Sequence, residues 1–393
     1  MSDLRTLRIL HCLRAPLGGV LRHVRDLARA QAAAGHAVGL VCDAEGGSPH
    51  QVSLLDELRP MLALGLHRVS MGRAIGLGDL VAAARIHRLA APLAPDVLHG
   101  HGAKGGTFAR LVGLALRATG TPVRRFYSPH GGSLHYAPSS LEGRVYFALE
   151  RLLERATESL VFVSRFEEQA YTDKVGAPRC GAALVYNGLT DPEFIPVTPD
   201  ADAADFVCVG EMRHLKGTDV LIRALIELAC RGTPATAWLV GPGTERPLYE
   251  RMVADAGLAD RIRFRDSMPI REALALGRVA VVPSRAESLP YVVLETIAAG
   301  RPLIATAVGG IPEIFGGQSH RLVPPDDAGA LAEALADARA APEPALARAA
   351  ALRAAIRPVF STAAMAAAVE AVYRGRAEAP SVSRPLPRPA EAA

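Results

Sequence analysis

Residues 279–300 have the sequence Val-Ala-Val-Val-Pro-Ser-Arg-Ala-Glu-Ser-Leu-Pro-Tyr-Val-Val-Leu-Glu-Thr-Ile-Ala-Ala-Gly. The apolar run 279–282 predicts a short strand. Pro290 suits the first turn of a helix, which Gly300 would end. A loop that joins a strand to a helix start lies at the carboxyl edge of a parallel sheet, where ligands bind. The stretch therefore predicts an α/β domain with a ligand site at this loop.

Two acids flank the predicted helix start, Glu287 on the loop and Glu295 about one and a half turns into the helix. Both carboxylates can point into one crevice and accept hydrogen bonds from sugar hydroxyls, while N–H groups at the helix start can hold a phosphate. The alternative is that Glu287 only complements the helix dipole and Glu295 is a solvated helix residue. The neighbouring segments favour the binding site.

A second strand and loop precede it, with the sequence Phe-Val-Cys-Val-Gly-Glu-Met-Arg-His-Leu-Lys-Gly over residues 206–217. The loop carries Arg213 and Lys216 just before a predicted helix at 219–230. Only three of the 44 basic residues are lysines, and a lysine ammonium acts as a compact charge on phosphate. A lone loop lysine is more often merely solvated. Together, however, the strand, the two cations and the glycines have the layout of a phosphate-binding loop.

Short apolar strands alternate with helical stretches in both halves of the chain, which is typical of doubly wound parallel sheets. We expect two Rossmann-like domains, a last helix that Ser361 caps, and a disordered tail poor in large apolar groups. The predicted boundaries are 1–186 for the first domain, 187–205 for the linker, 206–357 for the second domain, 358–377 for the last helix and 378–393 for the tail.

Composition narrows the class of protein. With 393 residues, half of them hydrophobic and 21% charged, the chain suits an ordinary soluble two-domain enzyme. A net charge of +4 with 5% aromatic residues gives no reason to expect nucleic-acid binding. No apolar run approaches the ~20 residues of a membrane span, so we expect a cytoplasmic protein, with the inner face of the cell membrane as the alternative location. Five cysteines without a Cys-x-x-Cys pair predict reduced core residues.

Further motifs occur in a fixed order along most of the chain. They are Arg8-Ile-Leu-His-Cys12, Gly18-Gly19, Asp96-Val-Leu-His-Gly-His101, Ser128-Pro-His-Gly-Gly-Ser133, Val185-Tyr-Asn-Gly188, Gly241-Pro-Gly243 and Ala307-Val-Gly-Gly-Ile-Pro-Glu313. With the acid pair and the phosphate-binding loop, this order and spacing resemble the retaining glycosyltransferases of family 4. The resemblance implies the GT-B fold: two Rossmann-like doubly wound domains that face a central cleft, with a C-terminal helix returning to the first.

The resemblance also implies an activity. The protein would transfer a sugar from a nucleoside-diphosphate sugar to a glycan or lipid-linked acceptor, with retention of configuration and without a bound metal or other cofactor. Cell-surface polysaccharide or glycolipid synthesis would be the setting. A sugar-nucleotide epimerase of the same architecture is the alternative, and a non-catalytic sugar-nucleotide sensor is a third possibility.

Site residues follow from the resemblance position by position. His130 would lie beside the transferred sugar, Glu287 would bind the sugar hydroxyls, Glu295 would accept from the donor ribose, and Lys216 would bind the diphosphate. The remaining donor-binding candidates are Gly18, Gly19, Arg213, Ser288, Leu289, Tyr291 and Val292, with the Gly18-Gly19 loop closing over the phosphate.

The chain departs from the family pattern at two positions. Glu211 stands where the family usually has a diphosphate-binding arginine, which Arg213 could replace. Pro290 stands where the family often has glycine, so one backbone donor is lost and the phosphate must rely on Tyr291 and Val292.

Rival signals are weaker. Gly100-His-Gly-Ala-Lys-Gly105 matches the dinucleotide fingerprint but does not follow the first strand and has arginines where the acid should stand, so it would serve the acceptor or close helix packing. His99 and His101 would share a face, but we see no third ligand for a metal. The helix predicted at 141–157 mixes arginines with Glu142, Glu150 and Glu154, which favours a solvated, salt-bridged face over a membrane-binding one.

Overall fold

The computed structural model describes residues 5–16, 18–44, 49–72 and 75–376. Within them the chain forms two compact units, one of residues up to 188 together with 362–376, the other of residues 189–361. The predicted disordered tail lies outside the described residues. None of the helices formed by the described residues combines the length and the apolar character that crossing a bilayer requires.

The first unit is built on a parallel sheet of seven short strands, and the five inner strands are largely buried. Its strands are β1 (Arg8–Leu13), β2 (Ala37–Asp43), β3 (Gly65–Val69), β4 (Val97–His101), β5 (Arg124–Ser128), β6 (Ser159–Phe162) and β7 (Gly181–Leu184). Their order in the sheet is β3-β2-β1-β4-β5-β6-β7. The helices that connect them are α1 (Gly18–Ala33), α2 (Pro49–Asp56), α3 (Gly78–Leu93), α4 (Gly102–Ala118), α5 (Leu141–Leu153) and α6 (Arg165–Lys174).

The second unit has a five-stranded parallel sheet. Its strands are β8 (Ala204–Val209), β9 (Ala237–Val240), β10 (Ile262–Arg265), β11 (Gly277–Val282) and β12 (Leu303–Ala305), in the order β10-β9-β8-β11-β12. Its helices are α7 (Thr218–Cys230), α8 (Arg246–Asp255), α9 (Ile270–Ala275), α10 (Tyr291–Ala298), α11 (Ile311–Phe315), α12 (Ala328–Ala340) and α13 (Pro342–Ile356).

Both sheets reverse their winding direction at one point, between β1 and β4 in the first unit and between β8 and β11 in the second. Helices therefore cover both faces of each sheet and bury central strands such as β1 and β4 on both sides. In such sheets the crevice for a ligand opens at the carboxyl ends of the strands beside the reversal. The expected pair of Rossmann-like doubly wound domains is confirmed.

The last helix, α14 (Thr362–Tyr373), belongs to the first unit. Its apolar residues Met365 and Val369 share a buried cluster with Ile9 and Phe126 of the sheet. The hydroxyl of Tyr373 lies 2.6 Å from a ring nitrogen of His99. The expected return of the C-terminal helix to the first domain is confirmed.

The Gly100–Gly105 motif serves close helix packing. A Cβ on Gly105 would lie 2.4 Å from the carbonyl oxygen of Cys12, and one on Gly106 would lie 2.3 Å from the Tyr127 ring. Helix α4 can therefore approach β1 and β5 only without side chains at these positions. This supports the packing interpretation over a dinucleotide site.

Two expectations about individual side chains are wrong. Glu150 and Glu154 are not solvated: they are 4% and 3% exposed. Cys12, Cys42 and Cys208 are buried and unpaired, as expected for reduced core cysteines, but Cys230 at the end of α7 is exposed. In both cases the exposure of the side chain depends on which side of the helix it occupies and on which neighbouring segments cover that side.

Candidate active site

The loops at the carboxyl edge of the second sheet are held against one another through glycines. Gly217 ends the loop after β8 with a φ of 67°, and a Cβ there would lie 2.0 Å from the carbonyl oxygen of Pro283 on the loop after β11. Gly309, after β12, has a φ of 59°, and its Cβ would lie 1.9 Å from the carbonyl oxygen of Glu287. Positive φ and the absent side chain let three loops converge around Glu287.

Lys216 and Glu287 form the centre of this loop cluster. The Lys216 ammonium donates to Glu287 Oε1 at 2.6 Å, and the Ser284 hydroxyl donates to the same oxygen at 2.8 Å. The side chains of Lys216 and Glu287 are 24% and 9% exposed. The structure thus brings together two of the predicted residues, 71 positions apart in the chain, as a partly buried ion pair.

Arg285 ties the two loops to the start of α7, and sequence reasoning missed it. Its guanidinium donates to both carboxylate oxygens of Asp219 at 2.7 Å and to the His214 carbonyl at 2.6 Å. Burial alone would raise the pKa of Asp219, but the hydrogen bonds and charge of Arg285 outweigh it and lower that pKa. Arg285 therefore positions the loops that carry Lys216 and Glu287.

The remaining donor-site candidates of the second unit surround the start of α10. Pro290 is the residue just before the helix, rather than a member of its first turn. Leu289 and Tyr291 are buried, whereas Ser288, Val292 and Glu295 are partly exposed. The start of α10 follows Glu287 by four residues, and the N–H groups of a helix start are a common binding place for phosphate.

Arg213 lies on the loop after β8 and is exposed. Its Nε is 3.2 Å from a carboxylate oxygen of Glu211. Glu211, which stands where the family usually has an arginine, is therefore paired with Arg213, which could take the role of that arginine. An exposed ion pair of this kind contributes little and does not fix Arg213 in place, whereas Lys216 is held by the less exposed Glu287. Lys216 is therefore the stronger candidate.

The candidates of the first unit lie at the carboxyl edge of its sheet. Gly18 and Gly19 are exposed and form the first turn of α1, so they belong to a helix start rather than to the expected loop. His130 follows β5 with a φ of 50°, an uncommon conformation for a residue other than glycine. Strain of this kind is often found at functional positions.

His130 is the outer end of a chain of hydrogen-bonded side chains. Its Nε2 lies 3.0 Å from Nδ1 of His101, whose Nε2 lies 3.0 Å from Nδ1 of His11. His11 Nε2 is in turn 2.8 Å from the Gln31 side-chain oxygen. With Gln31 accepting, each ring donates to the next one inward, and the Nδ1 lone pair of His130 faces away from the chain.

Burial keeps these imidazoles neutral. It lowers the pKa of His11 to about 4 and the pKa of His23, which lies beside His130, to about 4. Burial, and then the neighbouring imidazoles, lower the pKa values of His99, His101 and His130 well below the ordinary value. At neutral pH the cluster therefore carries polar groups but no net charge.

The expectation that His99 and His101 lack a third ligand is wrong. One ring nitrogen of each of His11, His99 and His101 lies within 4.8 Å of the others, and the same holds for His23, His101 and His130. These groups could hold a metal ion, although the imidazoles bond to one another and to Gln31 as they stand. His11 lies within the Arg8–Cys12 motif but was not singled out as a ligand. His23 lies in none of the motifs, but it shares the inward face of α1 with Val24 and Leu27.

Comparison with known families covers both units. Residues 18–188 match the family described as the glycosyl transferase 4-like domain, and residues 203–340 match the family described as glycosyl transferases group 1. The two matches together take in most of the chain.

Known relatives agree with this assignment. The chain is 27% identical over 378 residues to the glycogen synthase of Mycobacterium tuberculosis, covering 91% of each chain. It is 30% identical over 217 residues to a GDP-mannose-dependent phosphatidylinositol monomannoside mannosyltransferase of Mycolicibacterium smegmatis, covering 50% of this chain and 56% of that one.

Solved structures share the fold. Anabaena HepE, in complex with UDP and glucose, superposes with a TM-score of 0.75 at 18% identity over 93% of this chain and 98% of that one. Sucrose-phosphate synthase of Thermosynechococcus elongatus gives 0.75 at 24% identity, over 94% and 99%. The two units, the order of their strands and the two family matches lead to one conclusion: the protein belongs to the GT-B glycosyltransferases of the family 4-like group.

Proposed function

We propose that the protein is a retaining, metal-independent glycosyltransferase that uses a nucleoside-diphosphate sugar. The second unit binds the donor: Lys216 and the N–H groups at the start of α10 hold the diphosphate, Glu287 orients the sugar hydroxyls and Glu295 accepts from the ribose. His130 and the Gly18-Gly19 turn act from the first unit. The acceptor is a glycan or a lipid-linked sugar of cell-surface polysaccharide or glycolipid synthesis.

The Lys216–Glu287 pair is the observation that carries this proposal. Both bonds to Glu287, from Lys216 and from Ser284, go to Oε1. The second carboxylate oxygen is then available to a sugar hydroxyl, while the ammonium, 24% exposed, keeps a face for phosphate. A buried carboxylate held in place at a helix start is suited to reading hydroxyls beside a diphosphate.

In the reaction, the bond between the anomeric carbon and the diphosphate oxygen breaks and a bond to the acceptor oxygen forms on the same face. The acceptor proton passes to the departing diphosphate. Lys216 and the amides of α10 stabilise the charge that develops on the leaving group, so no bound cation is needed for it. Neither Glu287 nor Glu295 acts as a covalent nucleophile.

Relatives support the donor and acceptor classes. HepE was solved with UDP and glucose, and the Mycolicibacterium smegmatis relative is a GDP-mannose-dependent transferase that acts on a glycolipid. The Mycobacterium tuberculosis relative is a glycogen synthase, and glycogen is a polysaccharide. These names differ in base and acceptor, so the proposal leaves both open.

Thermal unfolding with saturating UDP, GDP or ADP tests the donor site. A ligand at 100 times its Kd stabilises a protein by about 2.7 kcal/mol. We expect one nucleotide to stabilise the wild type and to lose most of this effect in Lys216→Ala and Glu295→Ala. Glu272→Ala, which removes an exposed acid of α9, is the matched control. If no nucleotide stabilises the wild type, the donor site is wrongly assigned.

Transfer activity tests the catalytic roles. Glu287→Ala and His130→Ala should each lower the transfer rate while Glu272→Ala keeps it. Full activity in Glu287→Ala would contradict the proposal that Glu287 orients the sugar. The donor alone should be hydrolysed slowly, whereas conversion of the donor to a new epimer would favour the epimerase.

A further inference from the structure

Exposed large apolar side chains concentrate on one part of the first unit. Among the described residues, ten of the fifteen large hydrophobic side chains that are exposed belong to α3, α4, α5 and the turn before α3. Leu77, Leu80 and Leu141 are the extreme cases, at 85%, 70% and 77% exposed. The ten are Ile75, Leu77, Leu80, Val81, Leu111, Leu114, Leu141, Val145, Leu149 and Leu152, which we call the outer helical face.

The three helices lie side by side on the same side of the sheet. Buried residues of α3 and α4 share one cluster with Leu10 and Leu98. Helix α5 joins them through Glu150, which accepts from Arg110 of α4 at 2.8 Å and from Tyr127 of β5 at 2.9 Å. The Arg110 guanidinium also lies over the Tyr127 ring. With their inner sides fixed in this way, the three helices turn their other sides to solvent.

Helix α5 shows the pattern most clearly. Leu141, Val145, Leu149 and Leu152 recur at intervals of four, four and three residues, so they form one stripe along the exposed side. The acids that should have made this side polar point inward: Glu150 bonds to Arg110, and Glu154 accepts from Tyr171 at 2.9 Å. An apolar stripe therefore runs along the exposed side of α5, with Glu142 and Arg144 beside it.

Among the exposed charged side chains beside the apolar stripe, arginines outnumber acids. Arg85 and Arg88 on α3, and Arg144 and Arg155 beside α5, are exposed and form no ion pair with any described residue. At 100° per residue, Arg88 falls between Leu77 and Val81, and Arg144 borders Leu141. Besides these four, the three helices expose Arg117, paired with Glu158 at 3.2 Å, and the acid Glu142.

We propose that the outer helical face binds the surface of an anionic lipid bilayer. Leucine and valine side chains would enter the boundary between head groups and acyl chains, and the arginines would contact the lipid phosphates. A second copy of the chain fits less well, because a two-fold contact sets each patch against itself and would oppose unpaired arginines. This binding would hold the enzyme at the membrane without a spanning helix.

Co-sedimentation of the full chain with vesicles tests the proposal. We expect binding to vesicles of phosphatidylcholine with about a quarter phosphatidylglycerol at about 0.15 M salt, and weak binding to phosphatidylcholine alone. Val145→Gln/Leu149→Gln/Leu152→Gln removes the apolar stripe and should abolish sedimentation. Arg144→Glu/Arg155→Glu should weaken binding by at least roughly thirtyfold, since each arginine near an anionic surface contributes a factor of about five.

Matched controls come from the second unit. Leu248→Gln/Leu346→Gln removes exposed leucines there, and Arg251→Glu/Arg261→Glu reverses exposed arginines, so neither should change vesicle binding. Circular dichroism confirms that every variant is folded, as expected for surface changes. Failure of the wild type to sediment with anionic vesicles would overturn the proposal, and so would equal sedimentation of wild type and both outer-face variants.

Analytical ultracentrifugation separates the protein–protein alternative. A concentration-dependent dimer that the triple glutamine variant abolishes, without vesicle binding by the wild type, would identify the face as an interface between copies and would also overturn the proposal. Nucleotide stabilisation does not involve this face, so it should be the same in the wild type and in the outer-face variants.

Discussion

Replacing Lys216 with methionine removes the cation that holds Glu287 and keeps a side chain of similar length. The Glu287 side chain is 9% exposed and would retain only the bond from Ser284 on Oε1. A mostly buried carboxylate would then lack a charged partner. Lys216→Met should therefore destabilise the second unit in the absence of any ligand.

The size of the effect follows from the contacts. A hydrogen bond to a charged group contributes about 1.5–3 kcal/mol, and removing one partner of a fully buried ion pair costs about 3–5 kcal/mol. Lys216 is 24% exposed, so water can partly replace it. We expect Lys216→Met to lower the free energy of unfolding by about 2 kcal/mol. The double variant Lys216→Met/Glu287→Gln should lose no more than half of the sum of the unfolding free energies that the two single variants lose.

Urea denaturation followed by tryptophan fluorescence measures this directly. The chain has one tryptophan, Trp238, which lies in β9 of the second unit. Its emission therefore reports the unit that contains the ion pair. The wild type, both single variants and the double variant complete a double-mutant cycle, which isolates the interaction between the two side chains.

A coupling energy below about 0.3 kcal/mol would refute the reasoning, because substitutions at residues that do not interact add to within about that amount. Lys174→Met serves as a control for loss of a lysine, since Lys174 bonds to carbonyl oxygens in the first unit. This control should leave the tryptophan transition unchanged.

Three further perturbations test other parts of the structure. Gly309→Ala should lower both the midpoint of urea unfolding and the stabilisation by nucleotide, and it should do so more than Gly232→Ala. Both glycines have a positive φ, but only a Cβ on Gly309 would meet a backbone carbonyl oxygen, at 1.9 Å. Equal effects of the two substitutions would contradict the loop packing. Asp219→Asn should lower the free energy of unfolding by about 2 kcal/mol at neutral pH. Because the pKa of Asp219 is lowered in the wild type, the difference in stability between wild type and variant should persist at pH 5 and shrink only below about pH 4. A difference already lost at pH 5 would contradict this prediction. His11 and His23, with folded pKa values of about 4, should each destabilise the fold as the pH falls from about 6.5, by roughly 2 kcal/mol at pH 5; calorimetry showing constant stability between pH 7 and 5 would contradict a neutral cluster.

Much of the fold could be predicted because its signals are local. The apolar run 279–282 did become a strand, and the helix after Pro290 begins at Tyr291 and ends before Gly300. The limits were also local: the sequence placed Pro290 one position too far into the helix, and it treated Gly18 and Gly19 as a loop. Helix ends depend on capping contacts that a periodic pattern does not contain.

The candidate site was only partly predictable. Loop residues beside a strand end are visible in the sequence, so Lys216 and Glu287 could be proposed. The direct bond between them could not be predicted, because it depends on how closely two loops approach. The hydrogen bonds between Arg285 and Asp219 could not be predicted for the same reason. The third imidazole beside His99 and His101 was missed because His11 comes from another strand.

The alternation of strands and helices, the family resemblance and the residue types at each strand end follow from the amino-acid order alone, because they depend on local periodicity and on short motifs. Which side chains meet, and which side of each helix faces solvent, depends on the folded arrangement of the whole unit. Glu150 and Glu154 are the plainest example: the sequence places them among arginines in one helical stretch, but bonds from Tyr127 of β5 and Tyr171 of α6 hold them inward and leave the leucines outside. The direction of a helical face depends on contacts between segments distant in sequence, which one chain's local pattern does not encode.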